Sequence, residues 1–108
     1  MRAALVVFLA ACSSEPPSRA SCSSDVNGKI AACLDLTGTD TIAFQNLCDK
    51  EGVKNPTTFR LGVACPKENR VGSCLQNKGT PIETILRSYA PVSTEQARTI
   101  CGTGEFNP

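Results

Sequence analysis

Two periods of apolar residues alternate along this chain. Phe59, Leu61, Val63 and Cys65 recur at every second position, which sets them on one face of a strand. Ala43, Phe44, Leu47 and Cys48 recur at three-four spacing, the stripe of an amphipathic helix. A matching helical stretch ends at Cys101. Counted back from Cys48 and Cys101, Asp40 aligns with Ser93, Thr41 with Thr94 and Leu47 with Ile100. Asp40 and Ser93 are good N-caps, because a short side-chain oxygen can accept from an unpaired amide of the first turn. Ser93 with Gln96 has the spacing of a capping box, and Gly52 and Gly102 stand where glycines end helices.

Turn residues divide the remaining segments into strands. Asn27-Gly28 in "DVNGKI" predicts a two-residue hairpin. If Val26 pairs with Lys29, each step outward keeps the sum of the two numbers, and Cys22 falls opposite Cys33. "PKEN" turns the chain from "TTFRLGVACP" into "RVGSCLQ", and Asn77 to Pro81 turns it again into "IETILRSYA". In that three-stranded meander Cys65 and Cys74 can oppose one another. The expected order is hairpin, helix, meander, helix: a small, disulfide-stapled α+β domain of short antiparallel strands with two short helices. Cys33-Leu34 ahead of "LTGT" and Cys74-Leu75 ahead of "NKGT", together with the helix alignment, suggest an internal duplication with units of about 22–64 and 65–108.

Composition explains why such a domain needs staples. The chain has 108 residues, seven cysteines and only five aromatic residues. A domain under about 90 residues buries a modest core, and disulfides are the usual remedy in an oxidising compartment. Histidine is absent. The usual general base near neutral pH is therefore missing, as are imidazole ligands for zinc. Basic residues number 11 and acidic residues 10, interleaved along the chain, which gives no electrostatic case for nucleic acid.

The amino-terminal segment has a different character. Met1-Arg2 supplies positive charge, and residues 3–11, "AALVVFLAA", are an unbroken apolar run too short for a permanent span of about 20 residues. Small residues before the break complete the parts of a secretory signal. Leu9-Ala10-Ala11-Cys12 resembles the lipobox of bacterial lipoproteins, which implies cleavage before Cys12 and lipidation of its thiol. Residues 1–11 would be the signal peptide, shorter than the usual range of about 15 to 30, which suggests a true start upstream of Met1. Residues 12–21 would be the acylated cysteine and a tether in which Pro16-Pro17 favour an extended conformation, and residues 22–108 the domain. Ser13 after the cysteine, where aspartate would imply inner-membrane retention, points to an outer membrane. Cysteine parity agrees: setting Cys12 aside leaves Cys22, Cys33, Cys48, Cys65, Cys74 and Cys101, six that can all pair. Six cysteines permit fifteen pairings. The set 22–33, 65–74 and 48–101 keeps the repeat symmetry, although a 22–33 bridge would fall at a hydrogen-bonded pair, where Cα atoms stand farther apart. A rival set bridges Cys48 to Cys65.

"ACPKENRVGSC", with the alanine-containing helices, resembles a loose set of small, cysteine-rich lipoproteins of Gram-negative bacteria that carry "CP…NRVGxC" over one or two repeats. The resemblance covers residues 30 to 106; Val53-Lys54 and Leu86-Arg87-Ser88 depart from the pattern. It implies location and architecture and no activity. The expected protein is a membrane-anchored envelope module with a protein or glycan partner, no nucleic acid and no catalysis. A secreted disulfide-rich inhibitor or toxin-like effector is the alternative. Among single residues, Arg70 could bind a ligand, though a hairpin arginine is usually a solvated charge. Asp25-Val26-Asn27-Gly28 and "DLTGTD" carry fragments of a calcium loop without its later glutamate. Asp35, Asp40, Glu83 and Glu95 have no spacing that joins two of them as acid and base. No catalytic residue, cofactor or metal site is expected.

Overall fold

The computed structural model describes residues 17–52 and 55–108. Its elements are β1 (Ala20–Val26), β2 (Lys29–Leu36), α1 (Thr41–Glu51), β3 (Thr57–Leu61), β4 (Arg70–Gln76), β5 (Thr84–Tyr89), α2 (Thr94–Cys101) and β6 (Glu105–Asn107). The six strands form one sheet in the order β3-β1-β2-β5-β4-β6, with every neighbouring pair antiparallel. This is a small disulfide-rich α+β domain. Each half runs strand, strand, helix, strand, and the strand order reads the same from either edge once β1, β2 and β3 are exchanged for β4, β5 and β6.

Local signals in the sequence account for the first hairpin and both helix starts. Asn27 and Gly28 take left-handed angles, φ 53° and 78°, the backbone that a tight two-residue hairpin turn demands. Asp40 Oδ1 accepts from the Ala43 amide at 3.0 Å. Ser93 and Gln96 complete a reciprocal capping box, Gln96 N–H to Ser93 Oγ at 3.1 Å and Ser93 N–H to Gln96 Oε1 at 2.8 Å.

The register differs from the expected one, and a single bulge is the cause. Val26 pairs with Lys29 and Asp25 with Ile30, but Ser24 pairs with Ala32. Ala31 is the extra residue. From there outward Cys22 lies opposite Leu34, so Cys22 and Cys33 point to opposite faces and cannot bond. The meander differs too. Gly62, at φ 73°, ends β3 before Cys65, and β3 pairs with β1 instead of β4. Strand β6 was not expected; it pairs with β4.

The disulfides follow from these faces. They join Cys22 to Cys48, Cys33 to Cys65 and Cys74 to Cys101, so neither the set 22–33, 65–74, 48–101 nor a 48–65 bridge forms. Phe59, Cys22, Leu34, Leu86, Cys74 and Phe106 stand side by side in one row across all six strands. Cys22 and Cys74 in that row bond to α1 and α2, which places both helices on the same face. The first half's counterpart of Cys74 is therefore Cys22, not Cys33. Under α1, Ala20, Cys22, Leu36, Phe44 and Cys48 form a buried cluster with Leu34 and Phe59 against it. On the opposite face the segment between β3 and β4 crosses the sheet, and Cys33, Cys65 and Tyr89 form a second cluster with Ile30.

Candidate functional site: a charged cavity on the helix-free face

Side chains that alternate with the Phe-Cys-Leu row point to the face without helices, and there the polar chemistry collects. Asp35 on β2 is paired with Ile85, and Arg87 stands two residues further along β5, a diagonal that a long side chain can span. Arg87 Nε donates to Asp35 Oδ2 at 2.9 Å, and the two side chains are only 5% and 3% exposed. Both groups make further hydrogen bonds. Asp35 Oδ1 accepts from the Cys65 amide and from the Ser18 hydroxyl, each at 2.8 Å, and Arg87 Nη1 donates to Ser73 Oγ at 2.7 Å. A buried ion pair withstands its desolvation best when further hydrogen bonds reach its lone pairs and protons, and this one has three.

Beside Arg87 opens a cavity of about 530 Å³, with Leu75 and Ile85 among its apolar lining, Arg70 and Ser73 on one side and Thr37 and Glu83 on another. Arg70 Nη2 donates to the carbonyls of Pro66 at 2.9 Å and Cys65 at 3.3 Å, so it clamps the crossing segment as well as lining the cavity. Tyr89 donates to the same Pro66 carbonyl at 2.7 Å, and burial pushes its phenol pKa up. The opposite wall depends on Gly38, where any Cβ would collide with the Pro81 carbonyl; this close approach lets the Thr37 and Gly38 amides reach the Glu83 carbonyl at 2.9 and 3.0 Å.

The titration of Glu83, on the wall of this cavity, is displaced downward. The Gly79 amide at 2.8 Å, the Thr37 hydroxyl at 2.7 Å and the charge of Lys78 hold its pKa below the ordinary value of 4.5, against a smaller opposing effect of burial. A depressed carboxylate adds stability that is present above its unfolded pKa and lost as pH falls through the folded one. Chemical unfolding from pH 6 down to pH 3 should therefore show a loss of stability in acid that Glu83→Gln reduces, with the difference confined to pH below about 5.

Of the residues singled out by sequence, Cys12 lies outside the described residues, and Cys22, Cys33, Cys48, Cys65, Cys74 and Cys101 are all bonded. Arg70, Asp35 and Glu83 come to this face, whereas Asp40 caps α1 and Glu95 sits exposed in the first turn of α2. Asp25, on β1, pairs with Ile30 beside the bulge in β2. Arg87, Ser73, Thr37 and Ser18 went unrecognised. Their only sequence signal is alternation: Asp35 sits between Leu34 and Leu36, and Arg87 follows Leu86, in strands whose next positions are buried. The helix face also has a groove, about 410 Å³, whose lining includes Ala32, Leu34, Leu86 and Leu47. No protein-family model, curated protein or solved structure matches this chain.

Proposed function

We propose that this protein is a lipid-anchored envelope lipoprotein whose stapled domain serves as a structural or binding module and not as an enzyme. The observation that carries the reading is cysteine accounting. All six cysteines of the domain bond to one another, which leaves none to pair with Cys12. The apolar leader and the Leu9-Ala10-Ala11-Cys12 pattern then favour an acylated Cys12 at the start of the mature protein. Two acyl signals give stable membrane residence. Ser13 favours the outer membrane.

The binding surface in this reading is the cavity lined by Arg70, Arg87 and Glu83. Its mixed charge and apolar floor suit a polar envelope ligand, protein or glycan. A hydrolytic role is disfavoured because Asp35 is committed to Arg87, Cys65 and Ser18, and Glu83 to Gly79 and Thr37. Intact mass of the mature protein should show a diacylglycerol addition, and Cys12→Ser should abolish it and release the protein from membranes. An unmodified soluble product would sink the reading and turn attention to a secreted inhibitor.

A further inference from the structure

We infer that the end of the domain where the chain enters the sheet rests on the bilayer that holds the anchor. This deepens the reading above and depends on acylation of Cys12. Ala20, the first residue of β1, pairs with Leu61, the last of β3, and the Gly62 amide donates to the Arg19 carbonyl at 2.8 Å. Chain entry and the end of β3 are thus one place. Seven residue steps separate Cys12 from Arg19, so a lipid on Cys12 holds that place within about 25 Å of its membrane even at full extension.

Three large apolar side chains are open to water at this end. Leu61 is 67% exposed, Val63 45% and Ile42 74%. The position of Ile42 follows from the packing of α1. The Cys48 carbonyl accepts from the Thr57 hydroxyl at 3.0 Å, and the Phe44 and Phe59 rings stand 6.1 Å apart. Four helical residues and two strand residues both advance about 6 Å, so the helix keeps step with β3 and its first turn arrives beside Leu61. Two residues before the buried Phe44, Ile42 lies on the outward side of the helix.

Charge at the rim fits the same occupant. Arg19 and Arg60 are exposed immediately beside these residues, and anionic headgroups attract such cations. The carboxylate of Asp40, also at this end, is turned to the Ala43 amide. Apolar side chains flanked by arginine, on a face tethered within reach of lipid, form an interfacial contact. Docking this way turns the Asn27-Gly28 hairpin outward and leaves the charged cavity opening sideways.

The chain has no tryptophan, so single reporters can be read without background. Leu61→Trp, Ile42→Trp and, at the far end, Val26→Trp are made in the full-length acylated protein. Each is reconstituted in phosphatidylethanolamine and phosphatidylglycerol vesicles with and without brominated acyl chains. Interfacial side chains sit about 5–10 Å into the headgroup boundary, so Leu61→Trp and Ile42→Trp should lose about half their emission to bromine. Val26→Trp should be unchanged. Equal emission with and without bromine at all three sites, on protein whose mass carries the lipid, overturns the docking and leaves the anchor standing. Equal quenching at all three also overturns it. A blue shift without quenching would mark a protein occupant such as a second copy, and it too overturns the docking. Absence of lipid on Cys12 overturns both readings.

Discussion

Asp35→Ala should destabilise the domain by about 3–5 kcal/mol, measured by urea unfolding, because it leaves a buried guanidinium without its counter-charge. At this size such a loss lowers the melting temperature by about 15 °C or more. The cost exceeds that of one lost hydrogen bond, since three donors converge on this carboxylate: Arg87 Nε, the Cys65 amide and the Ser18 hydroxyl. Arg87→Met should cost less. The carboxylate it leaves behind keeps its hydrogen bonds from the Cys65 amide and the Ser18 hydroxyl. The double substitution Asp35→Leu with Arg87→Met separates the two effects. Removing both charges from a buried pair is often neutral, so the double variant should recover much of the loss from Asp35→Ala. Recovery should stop short of the parent, because the Cys65 amide remains without its acceptor. If Asp35→Ala and the double variant unfold at the same urea concentration, the stabilising contact is the carboxylate's bond to the Cys65 amide and not the ion pair.

That pair marks how far this fold was legible in sequence. Helix starts were readable because capping is local: Asp40 and Ser93 meet their amides within three residues. The Asn27-Gly28 turn was readable for the same reason. Pairing was not, because one bulged residue, Ala31, moves every later side chain of β2 to the other face, and nothing in "KIAACLDL" announces it. The disulfide error descends from that residue. With Cys22 and Cys33 on opposite faces, one must meet a helix and the other the crossing segment. The match between the halves shifts for a related reason: with Leu34 corresponding to Leu86, Cys33 corresponds to Ile85 and has no cysteine counterpart, while Cys22 and Cys74 share the Phe-Cys-Leu row. The cavity was still less visible. Asp35 and Arg87 lie 52 residues apart, and only the central β2–β5 pairing, which crosses between the two halves, brings them together.

Cys74→Ala with Cys101→Ala should cost about 3.5 kcal/mol and melt α2, whereas Cys22→Ala with Cys48→Ala should cost a similar amount and leave α1 in place. Loop length cannot make this distinction. The three bonds close separations of 26, 32 and 27 residues, and the logarithmic dependence of loop entropy makes them nearly equal. Packing decides. In α1, Phe44 is 1% exposed and lies against Phe59, so the helix keeps an apolar anchor when its sulfur is lost. In α2 the buried residues are Ala97 and Cys101, and eight residues are too few for an independent helix in water. Its other tie is weaker: Arg98 stacks over the half-buried Phe106 ring at 4.8 Å, and that ring sits on β6, a three-residue edge strand. Loss of the Cys74–Cys101 bond therefore releases the helix and the final strand as one unit. Amide hydrogen exchange should show protection collapsing across residues 94–107 while residues 41–51 retain theirs. Equal loss of protection in both helices would mean that the sulfur, and not Phe44, holds α1 to the sheet. A marginal domain has about 5–15 kcal/mol to lose, so removing both helix bonds together should leave little folded protein at all.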